Sequence, residues 1–325
     1  MTHLTKPECV AVVGLGLLGR GIAACFLSRG FAVVAVDRSA KQHATAREQI
    51  SRMIGELIDL GGFDGSLREE WSARYTPATG FELLKDCSFV VESVTEDPAT
   101  KDAVLNAVEA VLSESAVIAS NTSSIPISQL QAHRKHPARF VGMHWAEPAH
   151  ATRFMELIRG DQTSDEAFQA AATMARRLGK EPSLCQKDVP AFIVNRIGYA
   201  MYREALHLLE SGVADAEAID TAVRNAIGLW ATICGPLRWI DLSGGPELYA
   251  KAMQRVLPTL SKAEEVPTGM QQLAESGARG IVNGRGFYDY TPEQARHWEE
   301  LYRKHAWRVA ALQNEYFPMK EEPKL

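Results

Sequence analysis

Two groupings in this 325-residue chain have residue types and spacing that could do chemistry. The first is His144, in Gly142-Met143-His144-Trp145-Ala146-Glu147-Pro148, at the end of the apolar run Arg139-Phe140-Val141-Gly142-Met143. Glu156 lies on the next strand-like segment, inside the otherwise apolar Phe154-Met155-Glu156-Leu157-Ile158. An imidazole titrates near neutrality and can take the proton of a reacting hydroxyl. A carboxylate among apolar residues wants a partner, and Glu156 could hold the ring in one tautomer. Alone, such a histidine reads first as a satisfied core residue. The second grouping supplies what a proton acceptor would work beside. Gly14-Leu15-Gly16-Leu17-Leu18-Gly19 follows a short apolar run and opens a helix. One glycine makes the tight turn, one lets backbone approach a pyrophosphate, and one lets helix pack on strand. The free N–H groups at the helix start, around Leu17 and Leu18, then face the phosphate charge. Asp37 ends the second strand about 20 residues on, the place from which a carboxylate bonds ribose hydroxyls. NAD is therefore expected, and Asp37 would repel the 2′-phosphate of NADP; Arg38 beside it pulls the other way.

These residues need a scaffold that the rest of the pattern supplies. Residues 8–13, 31–37, 87–94, 115–120 and 138–144 read as buried strands, and 153–160 and 180–186 continue the series. Helical stretches lie between them at 39–60, 66–73, 99–112 and 165–178. Continuous apolar strands alternating with helices predict an α/β class, a Rossmann-type doubly wound parallel sheet covered on both faces. His144 would then stand at the carboxyl end of a strand, where open α/β sheets bind ligands. After Asp188 the period changes: Ile193, Ile197, Met201, Ala205 and Leu208 form a helical stripe, with Pro190 in the first turn and Gly212 as the stop. Further helices are predicted at 215–227, 246–257, 262–275 and 292–316, with no returning strand signal. The boundary near Lys187 separates a cofactor-binding domain, 1–187, from an all-helical domain, 188–325.

The bulk numbers exclude several classes. Hydrophobic residues make up 46% and charged residues 23%, as in globular chains. A net charge of -5 gives no footprint for nucleic acid or an anionic membrane. No apolar run approaches the ~20 residues of a membrane span, and the opening MTHLTKPECVAVVG lacks the pattern of a secretory leader. Cys9, Cys25, Cys87, Cys185 and Cys234 are widely spaced, and no ligand set for a metal stands out. A cytoplasmic, metal-free protein acting on a small molecule is expected.

Seven motifs in order resemble the 3-hydroxyacyl-CoA dehydrogenase family along most of the chain. They are GLGLLGRGIA, VESVTED with Lys101, SNTSS at 120–124, GMHWAEP with MELIRG, KDVPAFIVNRI, GPLRWIDL and GRGFYDY. The resemblance implies His144 as catalytic base, Glu156 as its orienting partner, and Ser123 and Asn195 as polar contacts around the reacting oxygen. It further implies that Glu96, Lys101 and Asn121 touch NAD, and that the helical domain binds substrate and carries a homodimer contact. Asn195 reads as mid-helix, where asparagine has poor propensity, and Ser123 follows a strand end facing the same cleft.

The departures bear on substrate. Glu147 stands where the family usually has asparagine. The helical hairpin after the second strand, which in the family reaches toward coenzyme A with lysines, has only Lys41 at its start, with Arg47 and Arg52 the other cations on its first helix. Val282 precedes GRGFYDY where lysine is common. The expected activity is NAD-dependent oxidation of a 3-hydroxy group, on a CoA thioester or, alternatively, on a free polar or cationic hydroxy acid of gulonate or carnitine type, which Glu147 would suit by charge. A non-catalytic cofactor-binding role is the remote rival, and the His144/Glu156 pairing argues against it.

Overall fold

The computed structural model describes residues 7–319, so the first six residues of the expected leaderless opening lie outside the described residues. The chain divides into two compact units, one ending at Asn195 and taking in Met319, the other spanning Arg196–Pro318.

The first unit is built on eight strands: β1 (Cys9–Val13), β2 (Ala32–Val36), β3 (Tyr75–Ala78), β4 (Phe89–Glu92), β5 (Val117–Ser120), β6 (Phe140–His144), β7 (Phe154–Ile158) and β8 (Glu181–Cys185). Their order in the sheet is β3-β2-β1-β4-β5-β6-β7-β8. Valine-rich strands fit a pleated surface covered on both faces, and the helices α1 (Leu17–Ser28), α2 (Ala40–Asp59), α3 (Leu67–Glu70), α4 (Pro98–Val111), α5 (Ile127–Gln131) and α6 (Asp165–Arg177) connect them. Val13, Val90, Ile118, Phe140 and Ile158 share one core with Leu105 and Val108 of α4. Strand order reverses between β1 and β4, which opens a crevice at their carboxyl ends.

The expected wholly parallel sheet needs one correction. β7 runs antiparallel to β6, whereas β7 and β8 are parallel. A parallel return requires a crossover of about a dozen residues or more, and the segment between His144 and Phe154 is too short for one. β3 carried no apolar run because it is an edge strand with a proline, Tyr75-Thr76-Pro77-Ala78.

The helical unit follows through α7 (Val194–Glu210), α8 (Ala216–Ala222), α9 (Gly228–Ala231), α10 (Pro236–Leu242), α11 (Gly245–Val256), α12 (Thr268–Glu275) and α13 (Pro292–Tyr316). Two boundaries differ from expectation. Pro190 does not begin α7: Ala191 and Phe192 adopt φ of 64° and 54°, so the chain turns before the helix starts at Val194. Asn195 therefore lies in the first turn of α7 and not mid-helix. The expected helix at 262–275 starts at Thr268, because Pro267 disfavours helical backbone in the residue before it. No helix among the described residues is long and apolar enough to cross a membrane.

Candidate active site

The glycine loop sits at the crevice with a distinct reason for each glycine. Gly14 follows β1 at φ 94°, and a Cβ there would meet the Ser93 carbonyl oxygen at 2.5 Å. A Cβ on Gly19 would lie 1.8 Å from the Gly14 oxygen, so α1 can approach β1 only through a glycine. Gly16 has open space where its Cβ would be. It caps α1 with no side-chain hydrogen bond, and no acidic residue occupies the first turn, where Leu17 is exposed and Leu18 half-buried. An uncapped helix N-terminus beside open space is what a pyrophosphate needs. Asp37 follows β2 and accepts N–H bonds from Leu15 and Ser39, each at 3.0 Å, which fixes its carboxylate at the rim of the loop. The residues present thus fit an adenine dinucleotide.

Across the crevice, a buried ionic ladder holds the loop after β5. Glu92, the last residue of β4, accepts from Lys101 Nζ at 2.8 Å and from the Ser120 hydroxyl at 2.6 Å. Lys101 is 0% exposed and also pairs with Glu96 at 3.3 Å. Glu96 Oε1 gathers the Thr122 hydroxyl at 2.7 Å, the amides of Ser123 and Ser124 at 2.8 Å each, and both serine hydroxyls. Burial alone pushes the Glu96 carboxyl up, but the Thr122 hydroxyl, the Lys101 charge and the two amides outweigh it and hold it at about 2. Asn121 spans the same rim, donating to the Ser93 hydroxyl at 3.1 Å and accepting the Trp145 N–H at 2.9 Å.

His144 and Glu156 stand directly opposite each other in the antiparallel β6–β7 ladder. Directly paired residues have side chains on one face and close together, and here His144 Nδ1 lies 2.8 Å from Glu156 Oε2. A carboxylate only accepts, so Nδ1 carries the hydrogen and Nε2 is the nitrogen left to take a proton. The other oxygen, Oε1, accepts the N–H groups of Ile193 at 3.0 Å and Val194 at 2.8 Å. The turn through Ala191 and Phe192 aims these amides, and non-glycine residues in left-handed backbone are strained. Glu156 is 1% exposed, and the rings of Phe154 and Phe192 flank the imidazole at 5.8 Å. Asn195 Nδ2 donates to the Ser123 carbonyl at 3.2 Å, so both expected polar contacts are brought together.

Glu147 follows in the loop after β6, joined to Pro148 by a cis peptide. Burial pushes its carboxyl up, while the charges of His150, Arg20 and Arg52 pull the other way without cancelling it. His150 Nε2 lies 3.0 Å from Glu56 Oε2 of α2. The charged neighbours of Glu147 are thus basic. Among the described residues no group of three or more His, Cys, Asp or Glu side chains could hold a metal ion.

Sequence reading missed Glu92, Thr122 and the amides of residues 193 and 194. Glu92 carried a usable signal, since it ends an apolar strand much as Glu156 interrupts one. The amides carried none, because backbone donors have no residue type.

Comparison with known proteins follows the same division. Residues 9–189 match the 3-hydroxyacyl-CoA dehydrogenase NAD binding domain, and residues 192–290 match the C-terminal domain of that family. A 5-formyl-3-hydroxy-2-methylpyridine 4-carboxylate 5-dehydrogenase of Mesorhizobium japonicum is 33% identical over 287 residues, 88% of this chain and 92% of its own. A 3-hydroxybutyryl-CoA dehydrogenase of Bradyrhizobium diazoefficiens is 34% identical over 282 residues, 86% of this chain and 94% of its own. Among solved structures, an NAD+ dependent dismutase described as the same pyridine carboxylic acid 5-dehydrogenase superposes with TM-score 0.87 at 30% identity, covering 97% of this chain and 100% of that one. An (S)-3-hydroxybutyryl-CoA dehydrogenase of Ralstonia eutropha gives 0.73 at 32% identity, over 88% and 100%.

Proposed function

The chain belongs to the 3-hydroxyacyl-CoA dehydrogenase family and is an NAD-dependent dehydrogenase, and we propose that it oxidises a 3-hydroxy group to a 3-oxo group with His144 as general base. The observation that carries this reading is the 2.8 Å contact between His144 Nδ1 and Glu156, which leaves Nε2 as the nitrogen able to take a proton. NAD, when bound, supplies the hydride acceptor. Nε2 takes the hydroxyl proton, and Glu156 stabilises the imidazolium that forms while the amides of Ile193 and Val194 keep its own charge in place. Ser123 and Asn195 orient the reacting oxygen. Gly14 to Gly19 hold the pyrophosphate, Asp37 the ribose, and Glu96 and Asn121 the nicotinamide side. Lys101 has no exposed atom with which to touch the cofactor, so it acts by fixing Glu96. The first domain, 1–187, binds the cofactor, and the second, 188–325, binds substrate and pairs two copies. Exposed apolar side chains such as Leu229 and Leu237 on the helices of the second unit support a homodimer, which light scattering tests. The five free cysteines support a cytoplasmic setting.

A second reading rests on the loop after β6 and on α2. Glu147 stands among basic neighbours, and α2 and α3 offer few cations to a CoA phosphate. These features favour a compact free acid over a thioester. They also weigh against the cationic substrate expected from Glu147 alone, since an anionic tail would meet Arg20 and Arg52. The test is NAD reduction with (S)-3-hydroxybutyryl-CoA against free 3-hydroxy acids and aromatic carboxylates bearing a hydroxymethyl or formyl group. Turnover of none of these, with NAD bound, would defeat both readings.

A further inference from the structure

The chain between β6 and β7, residues 145–153, closes back onto a buried cation that the proposed chemistry does not use. Lys180, just before β8, is 3% exposed. Its ammonium donates to the carbonyl oxygens of Ala149 and Thr152, the latter at 2.5 Å, and lies 5.2 Å from the centroid of the Trp145 ring. An ammonium has three donors, so two carbonyls and one aromatic face account for all of them. No carboxylate pairs with it among the described residues; burial pushes the ammonium down from the ordinary lysine range, and the Arg29 guanidinium at the C-cap of α1 pushes the same way. A charge taken out of water without a counter-ion is costly to keep, and a methionine of similar volume would avoid that cost.

What the charge achieves is visible in the chain it grips. Trp145 directly follows His144, and its N–H is tied to Asn121. Ala149 and Thr152 lie on the stretch leading to β7, and the Ala149 oxygen also accepts the Cys25 thiol at 3.3 Å. The next residue, Glu181, donates its N–H to the Arg153 oxygen at 2.8 Å. Lys180 therefore holds the segment at its beginning, middle and end. We propose that Lys180 is a positioning residue: its buried ammonium fixes the 145–153 segment and through Trp145 sets the orientation of the His144 ring against Glu156.

The test reads the dyad itself and needs no substrate. In protein labelled with 15N-histidine, the His144 Nδ1 proton gives a low-field resonance, assigned by its loss in His144→Gln. In Lys180→Met this resonance is expected to broaden away or move upfield, while the Kd for NAD stays within about twofold and Tm holds or rises. Lys180→Arg, which keeps a buried cation able to reach both carbonyls, is expected to restore it. An unchanged Nδ1 resonance in folded Lys180→Met overturns the proposal, and so does loss of the resonance together with NAD binding, which marks general disruption. Should Lys180→Met not fold, Lys180→Gln is read the same way: an altered resonance with NAD affinity kept supports the role, and an unaltered one overturns it.

Discussion

Glu156 and Glu96 solve one problem in two ways. Each is a carboxylate at the crevice, each collects two consecutive backbone amides, and each has a basic partner. The difference lies in the partner. Glu96 faces Lys101, whose own charge is locked between two carboxylates, and accepts enough donors to sit at about 2. Glu96 keeps its charge at working pH, so it serves as scaffold. Glu156 gives one oxygen to an imidazole, the side chain whose charge can change near neutrality. The same carboxylate chemistry builds a fixed post in one place and, in the role proposed for His144, a proton relay in the other.

The largest effect that would break this contrast comes from the fixed site. Lys101→Met leaves Glu92 buried without its counter-charge, and the expected loss is about 3–5 kcal/mol of unfolding free energy, read by urea titration. A loss of under ~1 kcal/mol would make the ladder dispensable. Next comes the relay. His144→Ala should lower kcat at least ~100-fold while leaving NAD affinity and Tm nearly unchanged; an equal loss of NAD affinity would return His144 to a structural role. Glu147→Asn is smaller, and sharpens the substrate side. If the loop has been shaped against a thioester, acetoacetyl-CoA reduction should improve by about 1–2 kcal/mol in kcat/KM. Efficient reduction by the unaltered protein, with no change on substitution, would remove that idea.

The smallest effect concerns acid. The Glu96 carboxyl is depressed in the folded protein, so its contribution to stability is present above the ordinary carboxylate pKa of 4.5 and is lost as pH falls toward about 2. The side chain is partly open to solvent, which screens the gain to the order of 1 kcal/mol. Glu96→Gln should flatten the acid limb of a Tm-against-pH curve by that amount, whereas Glu156→Gln should mainly alter turnover.

How far the chain was readable from its residues follows the same physical line. The glycine loop and Asp37 were legible because their spacing fits a turn that only glycine makes, and the His144–Glu156 pairing because a carboxylate inside an apolar strand wants a partner. The α/β pattern was legible from its apolar runs. The reversal of β7 was not, since an apolar strand reads identically in either direction and only the short return betrays it. The start of α7 was misread because Pro190 is a strong helix signal, and Ala191 and Phe192 carry no glycine to announce left-handed backbone. Lys101 was expected to touch NAD, and its burial between Glu92 and Glu96 has no signature in spacing or residue type.

The amides of Ile193 and Val194 also set an order of events during synthesis. Glu156 lies well upstream of them, and its second oxygen is buried. Every strand of the sheet, with His144 and Glu156 on two of them, is synthesised before residue 193. Until those two N–H groups arrive, a buried carboxylate oxygen lacks its donors, a state that desolvation penalises. The pair proposed for proton transfer thus has its full set of donors only once the turn after Pro190 is in place, and that turn is made after every strand of the sheet.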